Sequence, residues 1–226
     1  ALEACKEILS INSDDAGTIN MMGTIYEKKG FYDQAKTKFL RALELDKNLV
    51  QAKINIATLY QLEGNEDKAD QIYNDLAKEQ KGNPEVLFRR STLAFKQENF
   101  QEGWRYFENR WKVFPLNKTI WPIQNKTLWK GEKGGRVVLW KEQGIGDQII
   151  LLSLVPEVQE MCGSVSVYVD PRLHSLCKRT MPETNFISDE NALKREIFDY
   201  HLPLGSVPGL VRNNIRDFDR TVLGYF

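Results

Sequence analysis

The chain has 226 residues, 42% apolar and 27% charged, the make-up of an ordinary globular protein with room for one large or two modest domains. Its 31 basic and 31 acidic residues cancel, so no net field draws a polyanion and nucleic acid is disfavoured as a main partner. No apolar run reaches the roughly 18 residues of a membrane span, and three scattered cysteines with two histidines favour neither a disulfide framework nor a metal site.

The chain opens on Ala1-Leu2-Glu3-Ala4, which reads as helix interior rather than a leader peptide. From there a period of 34 residues sets matched side chains in columns. Gly23, Ala57 and Ser91 fall together, as do Tyr26, Tyr60 and Ala94. Ala35, Ala69 and Gly103 form a third column, with Ala1 before them. Phe39, Tyr73 and Phe107 form a fourth, continued backwards by Cys5, and Ala42 and Leu76 a fifth, preceded by Ile8. Small residues suit places where two helices approach closely, and bulky ones fill the space between successive hairpins. Gly30 and Gly64 mark turns between paired helices; Glu98 stands at the third. A hairpin of this kind cannot bury its apolar face alone, so neighbours must stack.

This register resembles the tetratricopeptide repeat (TPR) family over residues 1–112, with about three repeats plus a partial one. Two positions depart from the family pattern: Ile19 stands where tryptophan is common, and Lys47 replaces a usual proline. Because Ala1 falls in the column that opens a second helix, upstream repeats or a cap are expected before it. The resemblance implies an α-α superhelix whose concave face, lined by the first helix of each hairpin, takes a protein or peptide. By phase the lining is Asn20, Thr24 and Glu27, then Asn55, Thr58 and Gln61, then Arg89 and Thr92. The competing reading of these eight is a plain solvated helix face, since no charge cluster marks a ligand.

Between residues 113 and 134 the helical pattern lapses, punctuated by Pro115, Pro122, Gly131 and Gly134. Trp111, Trp121 and Trp129 are too apolar for a free linker, so this stretch is expected to dock on the C-terminal domain. From residue 135 to 226 strands and helices alternate. Arg136–Trp140 reads as a buried strand, and Asp147 opens a helix to about Met161. Val165, Val167 and Val169 mark a second strand, and residues 171–181 a second helix. Phe186-Ile187 reads as an edge strand and residues 197–204 as another. Alternation of this kind predicts a parallel, Rossmann-like sheet, giving an α + α/β chain overall. Ligands of such sheets sit at the carboxyl ends of the strands, here the Lys141–Asp147 turn, Asp170 and the Leu204–Pro208 turn.

Gly144-Ile145-Gly146 sits between a strand and a helix, as a dinucleotide fingerprint would, but Ile149 replaces the third glycine. Asp170 stands where a ribose-binding acid would, or equally where an ordinary strand-to-helix turn would. No Gly-Lys-Ser/Thr follows, so a P-loop is excluded, and no bound cofactor is expected.

Three stretches resemble bacterial TPR proteins fused to a heptosyltransferase-like glycosyltransferase. They are residues 102–111 (Glu-Gly-Trp-Arg-Tyr-Phe-Glu-Asn-Arg-Trp), residues 128–131 (Leu-Trp-Lys-Gly), and residues 139–149 around Glu142-Gln143-Gly144-Ile145-Gly146-Asp147. His201–Pro208 resembles a later strand and turn of that family. The resemblance covers residues 100–226, and the Glu-Gln-Gly-x-Gly-Asp turn is its most specific part. It implies the N-terminal half of a GT-B fold and sugar transfer from a nucleotide-sugar donor without a required metal. Asp147 would be the catalytic base, with Glu142, Gln143, Gly144, Gly146 and Ser206 lining the substrate. Gly144 and Gly146 are expected to let the backbone bend sharply there. Asp147 equally suits a helix N-cap.

The same resemblance places the donor nucleotide on a second Rossmann-like domain, so the chain is expected to be truncated at both ends and inactive alone. The donor would then be a partner of the complete parent protein only, and the setting cytoplasmic. The alternative is a non-catalytic TPR scaffold capped by an α/β piece.

Overall fold

The computed structural model describes residues 1–113 and 126–220. The chain divides into two compact units, Ala1–Leu93 and Ala94–Phe226. The division falls inside a helix, α6 (Pro84–Lys96), so the third helical hairpin contributes to both units.

The first unit is a row of helices. α1 (Leu2–Ile11) precedes two hairpins, α2 (Ala16–Lys28) with α3 (Tyr32–Leu45) and α4 (Val50–Leu62) with α5 (Glu66–Glu79). Asp15 starts α2 by accepting the Thr18 N–H at 2.6 Å, which satisfies one of the open donors of a helix N-terminus. Gly30 and Gly64 end α2 and α4 at φ 80° and 76°, a left-handed conformation that costs glycine nothing. The third turn keeps that conformation without glycine: Glu98 has φ 58°.

The column logic is visible in the packing. Ala35, Ala69, Phe39 and Tyr73 are fully buried. The Phe39 ring lies where a side chain on Gly23 would be, so small and large positions interlock across the hairpin. Ala57, Tyr73 and Leu76 share a core with Val86 and Leu93 of α6. Ile8, which extends the fifth column backwards, is half exposed.

The second unit begins with the end of α6, then α7 (Phe100–Phe107) and α8 (Arg110–Val113). A five-stranded parallel sheet comes next, in the order β1-β5-β2-β3-β4. Its strands are β1 (Thr127–Leu128), β2 (Arg136–Trp140), β3 (Ser164–Tyr168), β4 (Asn185–Ile187) and β5 (Tyr200–Pro203). β2 is central, with Val137 level with Val165 on one side and with Tyr200 on the other. Its side chains alternate between two cores. Val137 and Leu139 pack with Val167, Leu152 and Val158, whereas Val138 and Trp140 pack with Ile187, Leu193 and Phe198. A strand covered on both faces explains why Val137–Trp140 reads as an unbroken apolar run rather than an alternating one.

Three expectations change. The helix opening near Asp147 begins at Ile145 and is two helices, α9 (Ile145–Leu152) and α10 (Val155–Met161). Pro156 lacks an N–H, and its ring would collide with the carbonyl one turn earlier, so the helix breaks ahead of it. The last strand starts at Tyr200, three residues later than expected, after α11 (Pro171–Thr180) and α12 (Glu190–Arg195). The stretch assigned to a docking linker holds β1, and Trp129 is 1% exposed in the sheet core with its Nε1–H donated to the Glu132 carbonyl at 2.9 Å. Trp111 packs beside Trp140 at 5.5 Å between ring centres, while Trp121 lies outside the described residues.

Candidate functional site

Because the sheet is parallel, β2, β3 and β5 deliver their carboxyl ends to one rim. β2 leads into Lys141–Gly144, β3 into Asp170, and β5 into the one-turn helix Leu204–Ser206. Gln148, on the first turns of α9 and 3% exposed, ties two of these turns together. It donates to the Gln143 carbonyl at 3.0 Å and accepts the Asp170 N–H at 2.9 Å.

A second tie comes from α8. Arg110 donates from Nε and Nη2 to the two Glu142 oxygens, each at 2.8 Å, and Nη2 also reaches the Ser206 hydroxyl at 2.8 Å. Glu142 accepts the Gly205 N–H at 2.7 Å, and a side chain on Gly205 would overlap the Glu142 carboxylate. Burial pushes the Arg110 guanidinium down, but the hydrogen bonds and charges of Glu142 and Glu108 together outweigh this and leave its pKa raised. Ser206 in turn donates to Glu108 at 2.7 Å.

The rim therefore sorts the expected residues into two groups. Glu142, read as a substrate ligand, is 7% exposed and occupied by Arg110 and Gly205; it holds the rim together from inside. Ser206 is half-buried in the same network. Gly144 is the N-cap of α9 at φ −61°, an extended conformation open to any residue, and Gly146 is helical, so neither glycine is demanded by a sharp bend. A side chain at Gly146 would meet nothing within 4 Å, so the surface there is open.

Asp147 belongs to the second group. It is the third residue of α9, not its cap, and its side chain is exposed. It lines a cleft of about 280 Å³ together with Gln143 and Gly205. Ile150 and Leu151 continue its own helix face one turn on, as the helical repeat dictates. Phe95, Trp104 and Phe107 line the same cleft.

Asp170 caps α11, accepting the Arg172 N–H at 3.0 Å. Hydrogen bonds from the Arg172 side chain and backbone hold its carboxyl down to about 2. Of the two sequence readings of Asp170, this is the geometry of the strand-to-helix turn.

In the first unit, the eight residues assigned to a concave face separate by depth. Asn20, Asn55 and Gln61 are buried, at 7–8% exposure: Asn20 and Asn55 meet where α2 and α4 touch, and Gln61 turns to Tyr73 of α5. Asn55 Nδ2 donates to Asn20 Oδ1 at 3.0 Å, and Asn55 Oδ1 accepts from Gln51 at 3.2 Å. Thr58 pairs with the Tyr73 hydroxyl at 3.3 Å, and that hydroxyl donates to Gln61 at 3.4 Å. These are seam residues, neither plain solvated faces nor free contacts. Thr24 is half-buried and Thr92 exposed. Glu27 is half-buried, and burial raises its pKa while Arg89 pulls it down. Arg89 also pairs with Glu85 at 2.9 Å.

Sequence reasoning singled out neither Gln148 nor Arg110. Gln148 directly follows the Gly-Asp turn, but nothing in a local pattern says that its amide bridges two strand ends. Arg110 lies 32 residues before its partner, a separation only the fold closes.

Residues 16–49 match the tetratricopeptide repeat family, which is α2, α3 and the turn after them. The chain is similar to protein FlbA of Caulobacter vibrioides, 28% identical over 192 residues covering 81% of this chain. It spans about a third, 32%, of that protein's length. Among solved structures it is similar to a mutant of the Thermobaculum terrenum O-GlcNAc transferase, at 16% identity and a TM-score of 0.44, covering 83% of this chain and 37% of that one. It is also similar to Pseudomonas aeruginosa pilF, at 14% identity and a TM-score of 0.43, covering 80% of this chain and 68% of that one.

Proposed function

We propose that the second unit forms the acceptor wall of a sugar-transfer cleft, with Asp147 as general base, and that the repeats hold a protein partner. Helical repeats of this kind are protein-interaction surfaces. The observation that carries the catalytic part is the state of Asp147: an exposed carboxylate on a fixed helical turn, at the carboxyl rim of a parallel sheet, open to a cleft. A general base must reach the proton it takes, within about 3 Å, and be held there by its surroundings. The Gln148 bridge and the Arg110–Glu142 pair supply that rigidity.

In this reading an acceptor hydroxyl enters between Asp147 and Gln143. Its oxygen attacks the anomeric carbon of a nucleotide-sugar, the proton passes to Asp147, and the nucleotide leaves with the bonding pair. The donor side belongs to the full-length protein, in a cytoplasmic setting. On the repeat unit, a peptide would run past Thr24, Glu27, Thr58, Arg89 and Thr92, with the Asn20–Asn55 seam beneath it.

One observation favours a second reading, a scaffold without catalysis. Glu142, inside the most specific motif, is spent on a buried ion pair that any stable fold could use. Incubating the full-length protein with nucleotide-sugars and candidate protein acceptors separates the two. Product formation supports the enzyme reading, and its absence across donors, alongside retained partner binding, supports the scaffold.

A further inference from the structure

The cleft beside Asp147 is unequal in its chemistry. Among the described residues, its polar side chains are Asp147 and Gln143. The rest is apolar. Phe95 and Trp104 lie 4.3 Å apart between ring centres, tilted by 53°, and Phe107 meets Trp104 edge-on at 5.9 Å and 87°.

These rings are fixed before anything binds. Trp104 donates its Nε1–H to the Arg212 carbonyl at 2.6 Å. The Arg110 guanidinium lies 4.5 Å over the Phe107 ring. Phe95 lies where a side chain on Gly103 would be, so that glycine is what lets the ring settle on α7. Ile150, which lines the same cleft, is 66% exposed, an apolar side chain left in water beside aromatic rings.

The volume limits what fits. A cavity of about 150 Å³ holds a benzene-sized group, so about 280 Å³ takes one apolar side chain and the backbone beside it. A saccharide would bring a hydroxyl on most of its carbons. Among the described residues the lining offers two polar side chains, Asp147 and Gln143, so most of those hydroxyls would find no partner in the protein, while their apolar surroundings favour a less polar guest. A peptide serine or threonine brings one hydroxyl, matched by one carboxylate, with its amide beside Gln143.

We infer that the Phe95–Trp104–Ile150 cleft is a specificity subsite for an apolar side chain adjacent to the acceptor hydroxyl, so that the acceptor is a serine or threonine of a peptide flanked by an apolar residue. This rests on the reading of Asp147 as the base that faces the acceptor.

The test measures dissociation constants by calorimetry, with the full-length protein and three probes. These are a capped Gly-Leu-Ser-Gly peptide, its Gly-Ala-Ser-Gly counterpart and methyl glucoside. The leucine peptide is expected to bind about tenfold tighter than the alanine peptide, and methyl glucoside more weakly than either. Ile150→Ser alters an exposed side chain, so the fold should persist while the leucine preference disappears; Phe95→Ala should remove it as well. Equal binding of the two peptides, a preference that survives Ile150→Ser, or tighter binding of the glucoside overturns the inference. Asp147→Asn should leave the leucine preference intact while cutting transfer by ~10²-fold or more. Failure of the base reading would appear there, as transfer that persists, and failure of the subsite in the peptide ratio.

Discussion

Arg110 and Glu142 form a two-pronged ion pair at 2.8 Å per prong, with side chains only 2% and 1% exposed. The pair joins the last helical turn before the sheet to the turn after its central strand, and through the Gly205 N–H to the turn after β5. Arg110→Ala leaves the buried Glu142 carboxylate without its charge partner and should lower unfolding free energy by about 3–5 kcal/mol. Glu142→Gln should also destabilise, but less, because Glu108 still pairs with Arg110 Nη1 at 2.8 Å. Urea denaturation checks this, and a change near zero for both would mean that the rim is held by other contacts.

The alanine column of the repeats is closed to larger side chains. Ala35 and Ala69 have no exposed surface. Ala35→Leu and Ala69→Leu should each destabilise by roughly 1–3 kcal/mol through overpacking. Neutral effects at both positions would deny the close helix approach.

The third helical turn carries stored strain. Glu98 sits at φ 58°, where its counterparts Gly30 and Gly64 sit at 80° and 76°. A side chain in that conformation costs roughly 1–2 kcal/mol, part of which glycine returns through its greater freedom when unfolded. Glu98→Gly should therefore stabilise, by about 0.5–1 kcal/mol, read as a raised urea midpoint with an unchanged slope. A fall in the midpoint would show that the Glu98 side chain contributes more than its backbone costs.

The repeats were legible because their signal is periodic and local: Ala35 and Ala69, or Phe39 and Tyr73, announce the same environment 34 residues apart. β2 and β4 were legible as short apolar runs between turn residues, and β3 by its alternating valines. Two-residue β1 leaves too little pattern, and its place beside β5 is set by pairing across a long stretch of chain. The Gly-Asp turn could be found from sequence, but not the sorting of its residues. Glu142 and Asp147 are five positions apart and chemically alike, yet Glu142 points to Arg110 and Asp147 to water. Likewise the Trp104 ring is fixed by a carbonyl 108 residues away.

His201 gives the second unit a pH signature. It is 2% exposed, and its Nδ1 accepts the Trp140 Nε1–H at 3.1 Å. Burial lowers its pKa, against a smaller upward pull from its backbone contact with Lys126. The unfolded chain takes up the proton near 6.5 and the folded chain only at lower pH. Stability from this group is thus present above about 6.5 and declines as pH falls below it. Unfolding free energies measured between pH 8 and 5 should show that decline, and His201→Gln should flatten it. A variant with an unchanged slope would assign the pH dependence elsewhere.

Asp147 carries the central claim, and Asp147→Asn tests it most directly. The residue lies in the first turn of α9 without capping it, so asparagine keeps its size while removing its charge. The loss of a carboxylate from the first helical turn costs only about 0.3–1 kcal/mol, so the fold should survive nearly unchanged. Sugar transfer by the full-length protein should fall by ~10²-fold or more if a general base has been lost. Transfer at the wild-type rate by a variant of wild-type stability would contradict the account, leaving Asp147 a surface acid on a helix end.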